Sequence, residues 1–383
     1  MTSFGIYIHV PFCRDRKCPY CDFYSVASPG PGLVERYLDV LEAELARSVE
    51  RYPENLGVGS IYFGGGTPSL LEPEQVWRVY CRIKSLWQIL PGAEVTLECN
   101  PEDLLLRRAA GYFSAGVNRL SLGCQSFDER QLELLGRSHS AADCRAAVGN
   151  ACEAGFGRLS LDLIFGGPQS TEGALLEAVG TALDLGVSHL SLYGYHLERT
   201  APAYGRAELA PAGEELYRSQ YLAACRKLED SGWRHYEISN WAASPDEYCR
   251  HNLAYWLRRP CLGCGPAAHS FLPPDLRFWN PEDLEEYLKG GGGDKLSDGR
   301  SERLDSEQVL CEEIMLGLRL ESGVEPAAIG AFLGGELETT LQALREEGLG
   351  AVSGAGRFVL SERGWLIYDE VLGRLTRKER PSG

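Results

Sequence analysis

The sequence predicts an α/β fold: a partial, TIM-like (β/α)6 barrel followed by a small, mostly helical, winged-helix-like C-terminal domain. Short apolar segments alternate with amphipathic ones over the first half of the chain, and parallel strands need crossover helices between them. Polar and glycine-rich residues recur just after successive apolar segments, where β/α barrels carry their functional side chains. After a four-glycine run at 290–293, the patterns become helical.

The predicted strands are residues 5–10, 60–65, 94–99, 118–124, 159–165 and 189–195. Amphipathic segments lie between them. In the first, residues 33–49, Val34, Leu38, Leu41 and Leu45 share one stripe, which is typical of a helix packed on a sheet.

The strand–helix alternation weakens after about residue 240. We therefore predict a barrel over 1–240, an extension over 241–290 and a C-terminal domain over 291–383. The glycine run is a predicted flexible linker. Within the last domain, residues 305–375 indicate helices and a short hairpin around 356–364.

Composition narrows the function classes. The 38 Lys and Arg against 54 Asp and Glu give a net charge of −16, which argues against nucleic-acid or anionic-membrane binding. No apolar run approaches the roughly 20 residues that span a bilayer, and no secretory signal is visible. We therefore predict a cytoplasmic protein with no transmembrane segment and no nucleic-acid partner.

Thirteen cysteines are present. Their odd number, without an export signal, favours reduced thiols or metal ligands over disulfides. Several stand singly in helix-like segments and are interpreted as small buried hydrophobes: Cys81, Cys144, Cys152, Cys225 and Cys311.

Three cysteines, Cys13, Cys18 and Cys21, lie within nine residues. A structural zinc site needs four ligands; no fourth ligand follows at finger spacing, although His9 could supply one. Three thiolates would also hold a 4Fe–4S cluster and leave one iron without a protein ligand. From these residues alone, zinc and an iron–sulfur cluster both stay open.

The segments YIHVPFC (7–13), CPYCDF (18–23) and YFGGGTPSLL (62–71) resemble the radical S-adenosylmethionine superfamily, in its coproporphyrinogen-III-dehydrogenase-like family. That resemblance implies a 4Fe–4S cluster on Cys13, Cys18 and Cys21, with S-adenosylmethionine on the open iron. The usual spacing is C-x3-C-x2-C, whereas this chain has C-x4-C-x2-C. The ligand types are intact, so we still expect a cluster.

The same resemblance implies a set of residues that bind S-adenosylmethionine. In chain order they are Tyr7, Tyr20, Gly65, Gly66, Thr67, Glu98, Gln125, Arg137 and Asp162. Glycines allow the backbone to approach the cofactor closely. The alternatives without a role in cofactor binding are that Arg137 is a solvated helix residue and that Asp162 caps a strand end.

Two features indicate the branch of the family. Position 23 is Phe, where the dehydrogenases carry a fourth cysteine. Segments YEISNWA (236–242) and CRHNLAYW (249–256) resemble the heme-chaperone branch, which implies heme as cargo and apo-hemoproteins as acceptors.

The segment LGCGPAAHSF (262–271) departs from the family pattern at Ala267, where glycine is usual. Cys261 and Cys264 form a CxxC, but they do not match family ligand positions.

Candidate heme contacts are His251, Asn252, Tyr255 and Trp256. Imidazole is an iron ligand, aromatic rings stack on a flat macrocycle, and Arg250 could offset one propionate. Alternatively, these residues only pack the barrel mouth. His9 and His269 are the other candidate ligands.

Two further hypotheses compete with a heme chaperone that lacks coproporphyrinogen III dehydrogenase activity. One is a radical S-adenosylmethionine enzyme, a dehydrogenase or methyltransferase, acting on a tetrapyrrole or another substrate. The other is a zinc-bound interaction protein. The sequence leaves open the acceptors, the occurrence of radical chemistry and the oligomeric state, a homodimer included.

Overall fold

The computed structural model describes residues 3–52, 56–290 and 299–377. Its main element is a twelve-stranded sheet. In chain order the strands are β1 (Ser3–Val10), β2 (Gly57–Gly65), β3 (Ile89–Cys99), β4 (Arg119–Gln125), β5 (Leu159–Phe165), β6 (His189–Gly194), β7 (Arg234–Glu237), β8 (Asn240–Ala242), β9 (Cys261–Cys264), β10 (His269–Leu272), β11 (Leu276–Trp279) and β12 (Ser301–Arg303). Their spatial order in the sheet is β12-β11-β10-β9-β1-β2-β3-β4-β5-β6-β8-β7.

Strands β1 to β6 are parallel neighbours in chain order, so the predicted six-strand core is confirmed. Helices provide the crossovers between these strands. They are α1 (Leu33–Ser48), α2 (Pro73–Leu86), α3 (Leu106–Ser114), α4 (Glu129–Leu134), α5 (Ala141–Glu153) and α6 (Glu172–Asp184), with α7 (Glu214–Asp230) after β6. The sheet is open, as expected of a partial barrel.

The two faces of this core differ in chemistry. One face is apolar and packs with the helices in a single hydrophobic core, as Ile6, Phe63 and Leu97 do. The other, which we call the inner face, carries the alternate residues and is largely polar. Its buried polar members include Ser60, Glu94, Thr96, Arg119, Ser121, Ser160, His189 and Ser191. Parallel sheets usually bury apolar side chains on both faces, so this alternation marks an interior site.

Residues beyond 240 extend both edges of the sheet. Strand β9 joins β1 in parallel, with Leu262 opposite Ile6, and β8 runs antiparallel to β6. Helices α8 (Arg250–Trp256) and α9 (Leu284–Gly290) flank β9 to β11. Strand β12 also belongs to this sheet, so the sheet continues past the predicted division at residue 291.

A second hydrophobic core lies in the C-terminal part of the chain and includes Ile314, Phe332 and Leu344. Its helices are α10 (Ser306–Gly317), α11 (Pro326–Leu333), α12 (Leu337–Glu346), α13 (Glu362–Leu366) and α14 (Tyr368–Leu375), with an antiparallel hairpin of β13 (Gly350–Val352) and β14 (Phe358–Leu360). The predicted helical, winged-helix-like appendage is confirmed. Of the predicted linker, Gly290 ends α9, and residues 291–293 fall outside the described ranges.

Backbone hydrogen bonds join this C-terminal part to the sheet. The amide of Ile238 donates to the carbonyl of Arg319 at 2.9 Å, and the amide of Glu321 donates to that of Tyr236 at 3.0 Å. In the described ranges, no helix combines the length and apolar character needed to cross a bilayer.

Candidate functional site

The cysteine loop follows directly from β1, at the carboxyl end of the parallel strands. Residues Phe12–Cys13 pair in parallel with Val26–Ala27, which closes a loop that holds Cys18 and Cys21. All three thiols are free and partly exposed. The amide of Ala203 anchors the loop by donating to the carbonyl of Pro19 at 2.9 Å.

Arg137 connects the cysteine loop to the sheet. Its Nη1 donates to Cys18 Sγ at 3.2 Å, and its Nη2 donates to Asn100 Oδ1 at 2.7 Å and to the carbonyl of Gly123 at 3.2 Å. It is therefore not a solvated helix residue.

Among the described residues, no three His, Cys, Asp or Glu side chains converge closely enough to hold a single metal ion. In an iron–sulfur cluster each thiolate binds a different iron atom, so the thiols need not meet at one point. Burial raises the pKa of Cys21 to about 11. Metal binding at this position would therefore release a proton.

The segment Gly64 to Thr67 lies against the start of the cysteine loop. Gly65 has a φ of 113°, and a Cβ there would lie 2.8 Å from the His9 ring. A Cβ on Gly66 would lie 2.5 Å from the carbonyl oxygen of Phe12. Side chains are excluded here because two strand ends approach each other closely. The adjacent Thr67 is buried.

Two acidic residues point from the inner face into the barrel. Tyr62 donates to Glu98 Oε1 at 2.8 Å, and burial raises the pKa of Glu98 to about 7. In mid-β5, Asp162 accepts from the Ser121 hydroxyl at 3.1 Å, and burial raises the pKa of this carboxyl too. These partners are neutral, so a bound cation would favour ionisation of both groups.

Three more predicted cofactor residues complete this end of the barrel. Gln125 has a φ of 59° at a register shift between β4 and β5, and its buried Oε1 has no hydrogen-bond partner in the described part of the chain. Such an acceptor fits a ligand that donates a hydrogen bond. The Tyr7 hydroxyl lies 3.1 Å from His9 Nδ1, and the Tyr20 ring lies 6.0 Å from the Tyr195 ring.

His251 lies toward the amino ends of the strands, with its ring centre 5.1 Å from that of Tyr62 and 6.3 Å from that of Tyr7. The residue is 1% exposed. Nδ1 lies 2.9 Å from Ser60 Oγ, and Nε2 lies 2.8 Å from the Tyr255 hydroxyl. Burial lowers its pKa to about 4. The segment therefore does not pack the barrel mouth, as the alternative interpretation held, but closes the opposite end.

The other candidate heme residues differ in accessibility. Tyr255 is 37% exposed, Asn252 and Trp256 are partly exposed, and the Arg319 guanidinium lies 5.1 Å from the centre of the Trp256 ring. Asn252, Tyr255 and Trp256 follow His251 within about one and a half turns of α8.

The alternative ligands have other surroundings. His9 is buried, with Nε2 2.9 Å from the carbonyl of Tyr24, and His269 is exposed and stacks on Trp279 with ring centres 5.8 Å apart. Cys261 and Cys264 are buried in β9.

Sequence reasoning missed an ion network that positions α8. Glu94 accepts from the backbone amides of Arg250 and His251 at 3.2 and 3.1 Å. The same carboxylate pairs with Arg158 at 3.2 Å and lies 3.7 Å from Arg119. The signal available in the sequence was the alternation of polar and apolar residues within β3 and β4 (EVTLEC and RLSLGC). Apolar packing on one face of the sheet also explains this alternation, so the pattern does not by itself indicate an ion network.

Comparison with known proteins identifies the family. The model of the radical SAM superfamily matches residues 7–182. The heme chaperone HemW of Mycobacterium tuberculosis is 36% identical over 377 residues, which cover 97% of this chain and 94% of that protein. HemW of Bacillus subtilis is 33% identical over 381 residues, which cover 96% and 97%.

A solved structure confirms the fold. Coproporphyrinogen III oxidase (HemN) from Escherichia coli, described as a radical SAM enzyme, aligns with a TM-score of 0.82 over 98% of this chain and 90% of that one. Its 21% sequence identity supports the fold alone. The relatives above 30% identity extend over the barrel, α8 and the C-terminal part, and on that ground this chain belongs to the HemW heme chaperone family of the radical SAM superfamily.

Proposed function

We propose that this protein is a heme chaperone, which binds heme and transfers it to apo-hemoproteins, and that it carries a 4Fe–4S cluster and S-adenosylmethionine. The observation that carries the proposal is the near-complete coverage of the HemW relatives. A shared barrel alone would support only the fold, because one fold serves many functions.

At the barrel mouth, Cys13, Cys18 and Cys21 would hold three irons of the cluster, and S-adenosylmethionine would occupy the fourth. A bound cluster supplies one-electron chemistry. Arg137 fixes Cys18 through its 3.2 Å contact, and the glycine segment lets the end of β2 lie close against the start of the cysteine loop. These residues fit the two groups by donor type.

Several inner-face residues would bind S-adenosylmethionine. Glu98 would accept from its ammonium group, a charge-assisted contact worth about 1.5–3 kcal/mol. Gln125 Oε1 offers an acceptor without a partner in the described residues. The proposed pocket is completed by the remaining predicted cofactor residues of the barrel mouth and inner face: Tyr7, Tyr20, Gly65, Gly66, Thr67 and Asp162.

At the other end, His251 is the proposed iron ligand. Its low pKa keeps the imidazole neutral at pH 7, as ligation requires. A proton on Nδ1 would be donated to Ser60, which would direct Nε2 toward iron, in the way that partners of the second nitrogen orient ligating histidines. The Tyr255 hydroxyl must then leave Nε2, and partial exposure gives this ring room to move. Asn252 and Trp256 are proposed neighbours of the macrocycle.

We further propose that the protein does not convert coproporphyrinogen III. Phe23, which is 63% exposed on the cysteine loop, replaces the additional thiol of the dehydrogenases, and a phenyl ring supplies neither a proton donor nor a metal ligand.

The test uses protein whose cluster has been reconstituted without oxygen. We expect one heme per chain in a spectroscopic titration, heme transfer to an apo-hemoprotein such as apomyoglobin, and no loss of coproporphyrinogen III. His251→Ala should alter the heme spectrum or weaken binding while iron and sulfide content stay constant. His196→Ala, a change at an exposed side chain, is the matched control, and His9→Ala and His269→Ala test the alternative ligands. Rapid coproporphyrinogen turnover, or no heme uptake, would contradict the proposal.

A further inference from the structure

A cavity of about 170 Å³ opens at the amino ends of β1, β2 and β3, beneath α8. Gly5 and Ser60 form part of its wall on the sheet side, and Arg250, Ala254 and Arg259 line the helix side. Ligand sites for whole small molecules usually measure about 300–1,000 Å³. This cavity therefore suits one group of a larger ligand.

The cavity is cationic in an otherwise acidic chain. Among its twelve lining residues, the charged ones are Arg250 and Arg259, whereas the whole chain carries −16. Arg250 Nη1 donates to the carbonyl of Gly92 at 2.9 Å, and within the described residues its other N–H groups are available to a ligand. Glu94, the nearby buried acid, is engaged with Arg119 and Arg158. The charge and the donors favour an anion.

The same cavity adjoins the imidazole of His251. Ser60 lines the cavity and lies 2.9 Å from His251 Nδ1. Gly5 also lines it, and a Cβ there would lie 3.2 Å from the same nitrogen. A group bound in the cavity would therefore lie beside the proposed iron ligand and could belong to the same ligand.

We propose that this cavity binds a carboxylate group, and that in the working protein this group is a propionate of heme, held by Arg250 and Arg259. The proposal rests on the proposed heme-binding function. Guanidinium groups bind carboxylates through paired, parallel hydrogen bonds. A free carboxylic acid has the same chemistry, and the experiment separates the two sources.

The test compares heme with heme dimethyl ester, in which both propionates are blocked. Each ligand is titrated into the reconstituted full chain, into Arg250→Met, into Arg259→Met and into the double variant. Because both arginines are exposed, each single change should weaken heme binding roughly three- to tenfold, whereas ester binding should stay the same. Arg218→Met, an exposed arginine on α7, makes the same change in net charge and should have no effect.

Four outcomes decide the proposal. Losses confined to heme support it. Equal losses for heme and ester, or unchanged heme affinity in the double variant, overturn it. Succinate that binds the wild type and not the double variant, with unchanged heme affinity, would assign the cavity to free carboxylates and overturn the propionate assignment. No heme binding by wild-type protein would instead overturn the proposed function.

Discussion

Glu98 provides the most quantitative test of the proposed cofactor pocket. Burial raises its pKa from 4.5 to about 7. The folded chain therefore retains a proton that the unfolded chain releases above pH 4.5, and stability falls as pH rises through 7. The difference of about 2.5 pKa units corresponds to at most about 3.4 kcal/mol of unfolding free energy. Screening at this partly exposed side chain reduces it to about 1–3 kcal/mol.

Glu98→Gln should remove this loss, because an amide keeps the shape and does not ionise. In the absence of S-adenosylmethionine, we expect the variant to exceed wild type in unfolding free energy by about 1–3 kcal/mol at pH 8 and by much less at pH 5. Denaturant titrations from pH 5 to 8 measure this difference. Anaerobic calorimetry should show S-adenosylmethionine affinity lowered about tenfold or more, since a charge-assisted contact is lost.

Glu338→Gln is the control, because this side chain is exposed on α12 and the variant keeps Glu98, so its stability should fall with pH as that of wild type does. A stability difference that is the same at every pH would refute the burial argument. Unchanged cofactor affinity would refute the assignment of Glu98 to the ammonium group, whatever the stability result.

The remaining predictions concern both ends of the barrel. Gly66→Ala should lower stability by about 1–3 kcal/mol in thermal denaturation, because its Cβ would strike the backbone of Phe12, whereas Gly149→Ala in an open position of α5 should be neutral or stabilising. Cys18→Ala should abolish the cluster; full iron content by chemical assay would require another ligand for the lengthened loop. Tyr255→Phe should tighten heme binding about two- to tenfold by releasing His251 Nε2; weaker binding in the titration would contradict the proposed coordination.

Local patterns in the sequence predicted the core strands and the order of the mouth residues. Alternating apolar and amphipathic segments specify parallel strands joined by helices, and the carboxyl ends of such strands meet at one edge. The positions of Glu98, Gln125 and the cysteine loop at this edge can therefore be predicted from short segments of the sequence. Their proposed ligands stay predictions, since no cofactor contact tests them.

The position of α8 could not be predicted, because it depends on contacts that are distant in sequence. Strand β9 pairs with β1 across some 250 residues, with Cys261 opposite Gly5, and the Glu94 carboxylate holds the first amides of α8. Neither contact has a local signature. Ala267 illustrates the same limit: its φ of 58° explains why glycine suits that position, yet the angle is visible only in the fold.

The opposite locations of the cysteine loop and α8 have a consequence for the safety of a carried cofactor. Gly5, beside the His251 ring, and Val10, before the cysteine loop, are five positions apart on β1, which corresponds to about 16 Å along an extended strand. A heme held at the α8 end and a cluster held on the cysteine loop would therefore occupy separate places along this strand. Tyr7 stands between them on β1, and its ring centre lies 6.3 Å from that of His251. Such a carrier would keep its load about a strand's length from its cluster, with an aromatic ring between the two.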